Sequence, residues 1–142
     1  MDSISIVAKA IKDELGSHTS ITNLVGTNPK RIWLNSAPPK LENSFPYIQV
    51  VHVSGGEQNS APYNDADIEM MITGISKLQE DAKELASLIN LFLDRKEIDY
   101  SDGWESYSII RQTGLVARVT NVQNEQYHQF GGYYRFRMTK GI

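Results

Sequence analysis

Apolar residues recur at helical spacing from the start of the chain. Ile4, Val7, Ala8, Ile11 and Leu15 fall on one face, and Lys9, Lys12 and Asp13 occupy the others. Ser3 stands where a cap would accept from the first turn, and Gly16 where a helix stops. A shorter helix is predicted from Ser20-Ile21 through Leu24-Val25, closed by Gly26. Each helix has a single apolar stripe, so each must pack on something else, most simply a sheet.

The period then changes to two. Arg31-Ile32-Trp33-Leu34 reads as a short strand, after which Pro38 and Pro39 force an extended loop. Residues 45–53 form the clearest strand, apolar on both faces and therefore central, with Pro46 confined to its start. Residues 54–66 read as a polar arm in which Gly55, Gly56, Pro62 and Asn64 are turn residues. The next strand alternates cleanly: Ile68, Met70 and Ile72 face one way, Asp67, Glu69, Met71 and Thr73 the other. The strongest helix spans 78–93, with Leu78, Ala82, Leu85, Ile89 and Phe92 as its seam and acids crowding its first turns. Strands are predicted at 104–113 and 115–122, broken or bent near Gly114. Residues 121–132 read as polar and turn-rich, before a final strand at 133–138. The predicted fold class is α+β: a mostly antiparallel sheet of four to five strands packed against one long helix and an N-terminal helix, in a single domain over 1–142.

Length, composition and charge narrow the function. The chain has 142 residues, 40% hydrophobic and 22% charged, which excludes wholesale disorder. A net charge of −3 argues against a dedicated nucleic-acid binder. The absence of cysteine removes disulfides, thiolate metal sites and cysteine nucleophiles. The first residues carry acids and lysines every few positions, unlike a signal peptide, and no apolar run approaches the ~18 residues of a spanning helix. No membrane association and assembly in the cytosol of its cell are therefore expected.

Candidate chemistry is sparse. His18, His52 and His128 lie far apart in unlike contexts, and no nucleophile elbow or histidine metal spacing occurs. Gly55-Gly56 and Gly131-Gly132 lack the spacing of a phosphate cradle and read as turn glycines. Asp65, Asp67 and Glu69 share one strand face and are the one carboxylate constellation that could hold Mg²⁺ for a small nuclease. Such a site would want a lysine two residues past the last acid, where Met71 stands, so a solvated acidic face is the simpler reading. Arg135 and Arg137 could grip nucleic acid, or pair with Asp67 and Glu69 across strands or between subunits. Tyr63, Tyr127 and Phe130 sit among polar turn residues, where aromatics anchor interfaces or fold back over a sheet edge. No cofactor is expected.

The element order carries a resemblance. A helix leads to the stop Leu24-Val25-Gly26, then to the short Arg31-Ile32-Trp33 strand and a proline-rich loop. Phe45-Pro46-Tyr47-Ile48-Gln49-Val50 follows, then the alternating strand, a helix with Ala82, Leu85 and Ile89 inward, and Tyr134-Arg135-Phe136-Arg137-Met138. This resembles the tail-terminator and tail-completion proteins of long-tailed phages, the small subunits that join head to tail. The resemblance implies a non-catalytic virion protein located in the tail. It implies a homo-oligomeric ring, commonly a hexamer, that caps the head-proximal end of the tail tube and ends its polymerisation. Its partners would be the tail tube protein and the head completion or connector protein, with DNA passing through unbound. On that reading Gln58, Tyr63, Tyr127 and Phe130 are expected at subunit or tube contacts, and Asp67 and Glu69 facing the lumen. The alternatives are the Mg²⁺-dependent nuclease on Asp65, Asp67 and Glu69, or a monomeric virion-assembly adaptor.

Overall fold

The computed structural model describes residues 2–27, 29–35, 45–60, 63–122 and 124–141, without the side chains of 58–60, 63, 64, 122 and 141. Helix α1 (Ser3–Gly16) leads to α2 (Thr19–Val25) and to three strands, β1 (Ile32–Leu34), β2 (Tyr47–Ser60) and β3 (Tyr63–Ser76). Helix α3 (Gln79–Leu93) then precedes β4 (Glu105–Val122) and β5 (Glu125–Gly141). The result is the α+β class read from the sequence, with a five-stranded sheet in the order β1-β2-β3-β5-β4. Only the β1–β2 pair is parallel.

Local chemistry explains the helices. Asp2, not Ser3, caps α1: its carboxylate accepts from Ser5 N at 2.8 Å, which also holds that carboxyl below its usual pKa. Ser3 is instead the first helical residue and is buried. The inward face of α1 is Ile6, Val7, Ala10, Ile11 and Leu15, so Ile4 and Ala8 lie at the margin of the core rather than in it. In α3, Ala82, Leu85, Ile89 and Leu93 are buried, while Leu78 is 64% exposed at the cap position outside the seam. Ser76 Oγ accepts from Leu78 N at 3.1 Å and fixes the entry into that helix.

The sheet buries one face against the helices. Ala66, Ile68, Met70 and Ile72 of β3 meet α1 and α3 together with Tyr134, Phe136 and Met138 of β5. The opposite face carries no helix among the described residues. Strand β2 is interior only where β1 covers it, along Ile48–Val50.

Two predicted loops are strands. The segment 54–66 is not a polar loop: its described residues extend β2 and β3 into one long hairpin, with Glu57 opposite Ala66 and Ser60 opposite Tyr63. The bulge of β2 lies between His52 and Ser54, and Gly55 just beyond it has φ +87, with its missing side chain against the carbonyl of Asp67. The segment 121–132 is likewise mostly β5, and Asn124 turns the chain at φ +66. Gly131 and Gly132 are mid-strand, where a Cβ would strike the Ile72 carbonyl and the Arg111 guanidinium respectively. Nor is β4 broken at Gly114. It continues through a register shift between Arg111 and Leu115, and Gly114 lies beneath the Tyr133 ring.

Candidate assembly surface

The helix-free face brings the alternating charges of β3 and β5 together. The register sets Asp67 opposite Arg137 and Glu69 opposite Arg135. Arg135 Nε donates to Asp67 Oδ1 at 2.6 Å, and Arg137 Nε lies 3.7 Å from Asp67 Oδ2. The Asp67 carboxylate raises the Arg135 pKa still further. Both arginines are about half exposed, so solvent screens these pairs, which set local charge more than stability. Asp67 is therefore matched by cations and does not stand in a purely acidic wall.

Asp65 and Asp67 border a hollow of about 420 Å³ with Tyr107, Arg137 and Thr139. The Arg137 guanidinium lies over the Tyr107 ring, 5.9 Å from its centroid. Among the described residues no group of three or more His, Asp or Glu is placed to hold a metal ion. The histidines do not converge either. His18 stacks on Phe92 and contacts Glu14, His52 contacts the Gly55 carbonyl, and His128 stacks on Phe130.

The four residues expected at an interface separate into two ends of the sheet. Gln58 and Tyr63 lie in the β2–β3 hairpin, and their side chains are outside the described part. Tyr127 and Phe130 lie at the other end, where Phe130 is opposite Gly74 and His128 opposite Ser76. At ~3.3 Å per residue along β3, the ends are about 40 Å apart. They do not form one patch within a single copy.

Tyr127 belongs to an aromatic cluster that sequence reasoning did not assemble. It stacks on Phe45 with centroids 5.1 Å apart, and Phe45 meets Tyr47 at 5.3 Å. Tyr127 Oη donates to Glu125 Oε2 at 2.9 Å, and Lys77 Nζ lies 3.1 Å from the same oxygen. Lys77, then Tyr127, lowers the Glu125 pKa. With Gln49, Ile75, Thr120 and Gln129, the aromatics line a hollow of about 300 Å³ on the helix-free face. Burial, reinforced by the Tyr127 phenol, pushes the Tyr47 pKa up. Phe45 and Tyr47 carried the strand motif, but nothing local linked them to Tyr127, about eighty residues away.

Phe130 faces the opposite side, toward α3. With Lys83, Ser87, Asn90, Arg111 and Leu115 it lines a hollow of about 440 Å³. Arg111 crosses its floor: Nη1 donates to Asn90 Oδ1 at 3.2 Å and to Tyr134 Oη at 3.3 Å, and Nη2 donates to the Gly131 carbonyl at 3.3 Å. The absent side chain of Gly132 makes the room. The Tyr134 pKa is pushed up by burial, with Arg111 opposing.

Two strand edges lack partners among the described residues. The chain after α3 meets the middle of β4, where Arg95 N donates to the Ile109 carbonyl and Arg111 N to Asp94 Oδ1, at 2.8 and 2.9 Å. Beyond the register shift, residues 115–122 pair with β5 alone, and Leu115 and Val119 are 72% and 53% exposed. On the other side of the sheet, β1 pairs with Ile48–Val50, and residues 51–60 have no outer strand among the described residues. Long open edges of this kind are ready to add a further strand.

Neither a protein-family model nor a curated protein matches the sequence. Among solved structures, the fold is similar to that of a chain in the virion of a native gene transfer agent particle. The TM-score is 0.73, over 96% of this chain and 96% of that one, at 16% identity. At that identity the likeness is one of fold. No described helix is long and apolar enough to cross a membrane.

Proposed function

We propose that the chain is a virion structural protein of the tail-terminator or tail-completion kind. In this reading it acts without catalysis. Copies assemble in the host cytoplasm as a ring, six-fold by the family resemblance, on the head-proximal end of the tail tube. The ring ends tube growth and offers its other side to the head connector, while DNA passes through its lumen. The observation that carries this reading is the end-to-end likeness of fold to a chain of a virion particle. The two open edges on opposite sides of one sheet suit a subunit that must contact two neighbours, because ring closure needs different surfaces on each copy.

The experiment combines native mass spectrometry over a concentration series, negative-stain imaging and mixing with tail tubes of the same virus. The expected result is a closed ring, free or formed on the tube, that caps tube ends and stops elongation. Failure to bind either tube or connector would overturn the proposal. So would Mg²⁺-dependent DNA cleavage that is lost in Asp67→Asn.

A further inference from the structure

The two open edges differ in kind, and we propose that they join. Residues 115–122 of β4 in one copy pair antiparallel with residues 51–60 of β2 in the next. This rests on the ring reading above and names its joint.

Backbone direction favours the pairing. Strand β2 is antiparallel to β3, β3 to β5 and β5 to β4, so β4 runs opposite to β2. Neighbouring copies in the same orientation therefore set these edges antiparallel. Leu115 is level with Gly132, Ile72 and Val50, so 115–122 reach 51–60 when the next copy is displaced along the strands by about ten residues, roughly 30 Å. Both stretches are long enough for such a ladder. Neither contains proline, and each carries one charged residue, Arg118 and Glu57. Edges that must stay solitary are usually shortened, bulged or charged, and the one bulge on the β2 stretch, between His52 and Ser54, leaves residues 54–60 in regular pairing with β3. The joint would also cover Leu115 and Val119 on one side and Val53, 45% exposed, on the other.

Charge selects between the available pairings. The hairpin of β2 and β3 holds Glu57, Asp65, Asp67 and Glu69 and no Lys or Arg, a net of −4. The hairpin of β4 and β5 holds Arg111, Arg118, Arg135, Arg137 and Lys140 against Glu105 and Glu125, a net of +3. Much of that charge is paired within the chain, Asp67 with Arg135 and Arg137, so what the joint itself brings together is Glu57 on one edge and Arg118 on the other. Two β4 edges meeting about a two-fold axis would instead set Arg118 close to its own copy. The joint is thus heterologous, as a ring requires, rather than the self-complementary contact of a dimer.

Sedimentation and amide hydrogen exchange test it on the full chain over a range of concentrations. The expected result is an oligomer larger than a dimer, in which amides of 51–60 and of 115–122 slow together by about tenfold or more. Arg118→Glu, at an exposed position that leaves folding intact by circular dichroism, should weaken association by about tenfold, whereas Arg118→Lys retains it. Protection confined to 115–122 would mean a two-fold joint and overturn the proposal. A ring with neither edge protected would overturn the joint while leaving the ring itself standing. A chain monomeric at every concentration would overturn self-pairing, and the tube-mixing experiment would then judge the functional reading separately.

Discussion

Replacing Gly74 with alanine tests how closely α3 sits on the sheet. Gly74 is buried opposite Phe130 on β5, on the face that receives the helix. A Cβ there would lie 2.5 Å from Leu85 Cβ and 3.1 Å from the Ala82 carbonyl oxygen. Carbon atoms in comfortable contact stand ~3.5–4.0 Å apart, so the helix must retreat by about 1 Å. The obstacle is the root of a side chain and a backbone oxygen, and no rotamer change removes either. Forcing a methyl into such a contact costs about 1–3 kcal/mol, against a gain of about 0.4–1 kcal/mol from restricting the unfolded chain. The expected net loss is about 1–2 kcal/mol, and the seam Ala82, Leu85, Ile89 and Leu93 loosens as one unit. Urea unfolding should show a lower midpoint at constant slope, and Tm should fall by roughly 2–4 °C per kcal/mol. Leu85→Ala in the same background should not rescue stability, since it leaves the offending Cβ in place and opens a cavity. Neutral or stabilising behaviour of Gly74→Ala, or rescue by Leu85→Ala, would refute the reasoning.

Two further outcomes follow from buried phenols. Tyr134→Phe removes a hydroxyl that donates to Asn90 Oδ1 and accepts from Arg111 Nη1, so it should cost about 1–2 kcal/mol by denaturant unfolding; a neutral result would mean that Arg111 and Asn90 satisfy each other alone. Burial holds the pKa values of Tyr47, Tyr100 and Tyr134 above the free value of 10.0, so their contribution is complete below that pH and is lost as pH rises through the folded values. Ultraviolet phenolate titration should show these groups ionising late, together with alkaline unfolding; all seven tyrosines titrating near pH 10 in the folded chain would contradict this.

Local periodicity determined the elements whose burial is one-sided. The alternation of Ile68, Met70 and Ile72 with Asp67, Glu69 and Met71 placed β3 and both its faces, because a period of two leaves a strand one way to bury its apolar side. Ala82, Leu85 and Ile89 of α3 were legible for the same reason, whereas Leu78 and Phe92 at its ends were read inward and Leu93 closes the seam instead. The two long hairpins were not. Residues 54–60 and 125–132 are polar and glycine-bearing, and they are strands because a neighbouring strand supplies their ladder bonds. Their glycines signal close approach and a bulge rather than turns, a distinction that requires knowing what lies against them. Tertiary structure alone decided the order β1-β2-β3-β5-β4 and the meeting of Phe45 with Tyr127. It also decided that Asp94 and Arg95 bond to β4 at Arg111 and Ile109, just before its register shift. Such contacts join residues far apart in sequence. Their pairing is set by which hydrogen-bonding edges remain once the core has closed, and local composition does not encode that remainder.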